Sequence, residues 1–259
     1  MTSSAFGAIL RNELRLLKGD TAVVVLIIAM PLIVTSILKS TMASSLIANG
    51  ASDANGAEQV VPGMALLFSF FLVAFINFSF FREHGWGTWD RLRASRASHV
   101  DILTAKALPW AVVSLAQLGL LIGAGVVLFD LRIPNASALG GMALIAVVWT
   151  AFLVSFALAI TALASSIQVV QAISNLGSIV FGTLGGALVP MEQLPGWAQA
   201  VGPFIPTHWA MKGFNALLID EEGFAGAVVP SLVILGIAAV FAAIAIKRFD
   251  FETVKTSFA

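Results

Sequence analysis

The chain has no cysteine. That excludes disulfides, thiolate zinc sites and a cysteine nucleophile. Charge is scarce as well: 11% of the 259 residues are Asp, Glu, Lys or Arg, and the formal net charge is zero. A soluble domain carries about 25% charged residues. With a pI near 6.8 there is no bulk electrostatic attraction for nucleic acid. The three histidines, His84, His99 and His208, form no HExxH pair, and the P-loop pattern GxxxxGK(S/T) is absent. The chain therefore has no recognisable ATP site of its own. No strongly charged residue falls in the middle of any long apolar run. A charge there costs about 2.5–3.5 kcal/mol on insertion scales and usually marks an ion or proton path. Its absence argues against a carrier with its own ion relay.

What the chain has is apolar length. Hydrophobic residues make up 59%, against about 45–50% in soluble domains, and mean hydropathy is +0.96. Six runs, near 21–43, 61–81, 107–129, 139–164, 168–190 and 226–247, approach the roughly 20 residues needed to cross about 30 Å of hydrocarbon. Pro31 is expected to kink the first run and Pro109 the start of the third. Pro62 falls at the start of the second, where a helix tolerates it. Residues 4–18 predict an amphipathic interfacial helix, with Phe6, Ile9, Leu10, Leu14 and Leu17 opposite Arg11, Arg15 and Lys18; a cytosolic extension of the first span is the alternative. Interleaved charges do not fit a signal peptide.

Orientation follows from the basic residues. With both termini in the cytoplasm, Arg11, Arg15, Lys18, Arg82, Arg91, Arg93, Arg96, Lys106, Lys247, Arg248 and Lys255 lie inside. Only Lys39, Arg132 and Lys212 then lie outside.

The stretch from Phe81 to Pro109 is the longest polar break between two spans. Gly85 and Gly87 bracket Trp86 and permit a tight bend; Thr88 suits a helix cap and Asp90 a first turn. Trp89 and Leu92 fall on one face, away from Arg91 and Arg93. Ser98 and Asp101 form a second capping box before the next run. A short ordered helix on the basic side suits docking of a soluble partner. Inside-positive anchoring is the competing account of Arg91 and Arg93.

Segment 190–225 is too rich in proline and polar residues to span, yet it carries Trp197, Phe204, Trp209 and Phe214. Pro195, Pro203 and Pro206 divide it into short helical pieces, expected to dip into the outer leaflet with tryptophans at headgroup level; a plain extracellular loop with an interfacial helix is the alternative. On run five, Gln168, Gln171, Asn175, Ser178, Gly182 and Gly185 recur at helical spacing and share one face. They line either a substrate path or a helix contact. Asn77 and Gln117 look isolated, and Gly119 and Gly123 make a GxxxG. Run two carries an aromatic series including Phe71 and Phe78, which suits a greasy substrate or lipid.

Arg82–Glu83, Gly87-Thr88-Trp89-Asp90-Arg91-Leu92 and Ala105-Lys106-Ala107-Leu108-Pro109 together resemble the permease subunit of ABC-2 type transporters, the group that includes the daunorubicin-resistance exporters. Gly186 to Pro190, then Leu194-Pro195-Gly196-Trp197 through Pro203 to Trp209, is similar to the family's outer hairpin. His84-Gly85-Trp86 departs from the more acidic run of many members.

The resemblance implies an all-α membrane protein, one transmembrane domain over residues 1–259. It would have six transmembrane helices, an N-terminal interfacial helix, a cytoplasmic coupling helix within 82–106 and a re-entrant outer hairpin over 191–225. Arg82, Glu83, Gly87, Thr88, Trp89, Asp90, Arg91, Leu92 and Arg93 would couple it to two copies of a separate ATPase, which would hold ATP and magnesium; this chain would hold no cofactor. A second permease, identical or not, would complete the complex in a bacterial or archaeal plasma membrane. Phe71, Asn77, Phe78, Gln171, Asn175, Ser178 and Gly182 would border the substrate path. Pro195, Trp197, Pro206, His208 and Trp209 would shape the outer hairpin. The expected function is export of a hydrophobic drug, natural product or lipid-like substrate, without enzymatic activity in this chain. A secondary carrier or channel is the alternative; it would need a coupling ion or pore-lining charge.

Overall fold

The computed structural model describes residues 3–17, 25–48, 55–95 and 97–249. Among them, regular structure is helical throughout. Helix α1 covers Ser3–Leu17. A π-helical turn, Val25–Ala29, runs into α2, Met30–Ala48. Pro31 stands just after that turn, and the N–H it lacks accounts for the irregular backbone there. Then come α3, Ala57–Ser69, α4, Phe71–Gly85, and the short α5, Trp89–Arg93. Helices α6, His99–Phe129, α7, Ala136–Leu163, and α8, Ile167–Leu184, are long. After the 3-10 turn Met191–Gln193 follow α9, Gly196–Val201, a second 3-10 turn, Gly202–Phe204, and α10, Pro206–Leu218. Helix α11, Phe224–Arg248, is the sixth membrane-length helical segment.

Six segments are long and apolar enough to cross a bilayer: Val25–Ser44, Ala57–Gly85, Val100–Phe129, Ala136–Leu163, Ile167–Leu184 and Phe224–Arg248. Their number and order match the six apolar runs. The second starts earlier than its hydropathy suggested, so Pro62 lies inside α3 and not at its first turn. The third continues through Pro109. Gly63, next to Pro62, is where the loop after α8 crosses α3. A Cβ there would stand 2.1 Å from the Ala187 carbonyl, so only glycine fits the crossing.

Local chemistry sets several of the ends. Ser98 and Asp101 make the reciprocal capping box at the start of α6, with Asp101 N donating to Ser98 Oγ and Ser98 N to Asp101 Oδ2. Asn135 Oδ1 accepts from Ala138 N at 2.8 Å to open α7.

The segment formed by α3 and α4 is the packed centre. It bends at Phe70, which is fully buried against Trp149 and Phe152 of α7 and Phe181 of α8. At the bend, Trp149 Nε1 donates to Ser69 Oγ at 2.8 Å, and Ser69 Oγ donates to Leu66 O at 2.5 Å. A polar group in lipid must be satisfied within the protein. Two amides that look isolated in sequence find a partner on another helix, although the Gln117 Oε1 is itself buried without a donor. Asn77 accepts a hydrogen bond from Thr161, and Gln117 Nε2 donates to Ala65 O at 3.4 Å. Helices α7 and α11 pack along their length, with α10 against both. Gly119 and Gly123 have no atom within 4 Å of a Cβ position, so this GxxxG packs on nothing among the described residues.

Candidate functional site

At the end of the bundle where α4 stops and α6 starts, four charged side chains come together from three helices. Glu13 is on α1, Arg82 and Glu83 are at the foot of α4, and Lys106 is on α6. Lys106 is fully buried; its Nζ lies 2.7 Å from Glu13 Oε1, 2.9 Å from Glu83 Oε1 and 3.0 Å from the Ser79 carbonyl. Arg82 NH2 reaches Glu13 Oε2 at 3.1 Å. The quartet balances two carboxylates against two cations. All three Lys106 donors are used, the arrangement that a buried ammonium requires.

Thr88 joins the quartet to α5. The sequence suggested it as a cap, but its side chain makes no cap bond. Its hydroxyl donates instead to Glu83 Oε2. The bend before it uses Gly87 at φ +66°, a left-handed conformation that glycine adopts without strain. Ion pair and hydrogen bond therefore fix the short helix to the feet of two spans and to α1.

Trp89 points inward. It is 3% exposed, with its ring 4.6 Å from His84 and 6.4 Å from Phe249, and Phe249 in turn lies 5.9 Å from Phe80. Leu92 also packs on the core. The apolar contact that Trp89 and Leu92 need is thus made within the chain. What faces away is different: Trp86, 59% exposed under the Arg82 guanidinium at 5.1 Å, with exposed Asp90, Arg91 and Arg93. Arg93 pairs with Asp90 at 3.4 Å. A cavity of about 520 Å³ separates α1 from α5, lined by Ile9, Asn12, Glu13, Glu83, Arg91 and Leu92 among others.

Glu13 and the role of Lys106 were missed in sequence. Glu13 carried a signal, because it falls on the apolar stripe of α1, after Ile9 and Leu10 and before Leu17. Lys106 read as one more inside-positive anchor.

The residues suggested for a substrate path do not form one surface. Asn77 is fully buried between α4 and α7. Ser178 is buried and donates to the Asn175 carbonyl at 2.8 Å, and Gly182 abuts Leu67. These three pack helices. Gln171 and Asn175, nearer the N-terminal end of the same face of α8, are exposed, Phe78 is 42% exposed on α4, and Phe71 is half-buried.

In the 191–225 segment, Pro195 caps α9, Trp197 is 64% exposed, and Pro206 occupies the first turn of α10. Trp209 is held down, with Nε1 donating to Pro203 O at 2.9 Å and the Lys212 ammonium 5.2 Å over its ring. His208 stands edge-on to Trp209. Helix α10 packs against α3, α7, α8 and α11.

Residues 4–219 match the family model described as ABC-2 type transporter. No curated protein matches the chain.

Proposed function

The chain belongs to the ABC-2 type transporter family as a multi-pass transport permease, and from that premise we propose that it is the membrane subunit of an ATP-driven exporter. A separate ATPase docks on the face formed by α1, Trp86 and α5. The buried quartet of Glu13, Arg82, Glu83 and Lys106 carries this reading. Helix α5 alone is five residues long and has no stability of its own. Bound through Thr88 to Glu83 and through Trp89 to the core, it moves only with the feet of α4 and α6. A partner that displaces α5 therefore displaces both spans. The exposed Trp86 and Arg91 beside the cavity supply an aromatic and a cation, the side chains that anchor interfaces.

Two copies of the ATPase and a second permease complete the complex. The substrate passes along the exposed amides Gln171 and Asn175 on α8 and the exposed Phe78 on α4. Amides have no reason to face lipid, and a second permease or an aqueous path relieves them. An apolar or amphiphilic small molecule suits that mixed surface, in the manner of daunorubicin-type exporters. Both termini and α5 lie in the cytoplasm of a bacterial or archaeal cell, α1 rests in the interface, and α9 and α10 dip into the outer leaflet.

The test is reconstitution of the permease in vesicles with a candidate P-loop ATPase. Hydrolysis-dependent movement of a fluorescent apolar probe is expected. Probe movement that persists without ATPase and follows an ion gradient would overturn the reading.

A further inference from the structure

The opposite end of the bundle holds a second cavity. Gln59 opens the span that Glu83 closes, about 36 Å away at helical rise. The cavity measures about 380 Å³ and is lined by Gln59, Glu192, His208, Lys212, Asn215 and Asp220 among others. That volume suits a small molecule. Leu46, Met191 and Met211 give it apolar walls.

Gln59 is 1% exposed. Its Nε2 donates to the Gly186 carbonyl at 2.7 Å, which fixes the amide's orientation and leaves Oε1 as an acceptor with no donor. Asn215 Oδ1 is likewise buried without a partner. Native proteins keep few such atoms. Glu192 and Asp220 are exposed on the lining and make no salt bridge among the described residues. The cation, Lys212, is turned onto the Trp209 ring. Burial, and then the Lys212 charge, push the His208 imidazole below its usual range against the opposing pull of Glu192. The lining offers acceptors and an excess of negative charge.

We propose that this cavity binds a protonated amine carried on a small apolar body. Its N–H donors meet the Gln59 and Asn215 amide oxygens, its charge meets Glu192 and Asp220, and its apolar part lies on Met191 and Met211. A free amphiphilic amine and the headgroup of an aminophospholipid present the same chemistry. The site requires neither an ATPase nor transport.

The experiment is calorimetric titration of 2-phenylethylamine into the full permease, in nanodiscs of phosphatidylcholine and phosphatidylglycerol, with 2-phenylethanol as the neutral control. Saturable binding of one amine per chain is expected, at least about tenfold tighter than the alcohol. The double variant Glu192→Gln, Asp220→Asn should weaken the amine about tenfold without lowering the melting temperature, because both side chains are exposed. Gln59→Leu should also weaken it; the exposed pair keeps the test decisive if that variant fails to insert. Absence of saturable amine binding, equal binding of amine and alcohol, or unchanged affinity in the double variant overturns the proposal. A final arm adds phosphatidylethanolamine to the nanodiscs. A fall in apparent amine affinity assigns the site to the lipid headgroup, and no change assigns it to free amines; either supports the site.

Discussion

Lys106 Nζ meets Glu13 Oε1 at 2.7 Å, joining the amphipathic helix to the third span across 93 positions of sequence. The same ammonium holds Glu83 at 2.9 Å, so one buried side chain ties together α1, α4 and α6. A residue in this position is costly to remove and hard to replace, because it neutralises two carboxylates at once.

Lys106→Met should therefore destabilise the permease by about 3–5 kcal/mol, the cost of leaving a buried ionic partner uncompensated. Adding Glu13→Gln should recover part of the loss, since one orphaned charge disappears. Thermal unfolding in detergent checks this through a double-mutant cycle. Strictly additive losses would show that the two groups do not interact.

Trp89 and Trp86 should separate stability from docking. Trp89→Ala opens a cavity among Phe80, His84 and Phe249 and should cost about 3–5 kcal/mol of permease stability. Trp86→Ala and Arg91→Glu alter exposed side chains and should leave unfolding unchanged. They should instead weaken copurification of the ATPase, at least about tenfold for an anchor residue. The reverse assignment of phenotypes would move the docking face to another part of the chain.

What the sequence disclosed was what is local. Six spans follow from runs of apolar residues, and the capping box at Ser98 and Asp101 is readable because both halves lie within four positions. Gly87 was legible as a bend, and its positive φ is the reason. Thr88 misled, because a threonine before a helix normally caps it and here Glu83 is the better acceptor. Asn77 and Gln117 looked isolated because their partners, Thr161 and Ala65, sit on other helices. Trp89 turns inward onto His84 and onto Phe249, and no spacing rule connects Phe249 to it.

Gly87→Ala should cost about 1 kcal/mol. The site is sterically open, with no atom within 4 Å of a Cβ, so the penalty is backbone strain alone at φ +66°. Gly87→Asn should cost less, because asparagine tolerates the left-handed region, and Gly87→Val more. Unfolding midpoints that rank Val above Asn would show that the bend relaxes freely.

Topology is open to direct labelling, since the chain has no cysteine. Ser95→Cys follows α5, and Ala136→Cys opens α7; both positions are exposed. With α5 in the cytoplasm, an impermeant thiol reagent added to intact cells should label position 136 and spare position 95. Labelling of position 95 from outside would invert the orientation drawn from the basic residues.

Helix α8 supplies the sharpest test of the substrate path. Its polar residues share one face but not one environment: Ser178 and Gly182, toward the C-terminal end, pack inward against the chain, while Gln171 and Asn175, toward the N-terminal end, are exposed. A large side chain at Ser178 collides with a packed helix and should lower stability by about 1–3 kcal/mol. A large side chain at Asn175 meets nothing within the chain, so Asn175→Trp should leave unfolding unchanged. If Asn175 borders the path or the second permease, transport in reconstituted vesicles should still fall. Ile173 and Val180 share the exposure but are apolar, as a lipid-facing surface is. Tryptophan at either should leave transport close to wild type. Equal losses at Asn175, Ile173 and Val180 would show that the amide face carries no special role, and the path would have to be sought away from α8.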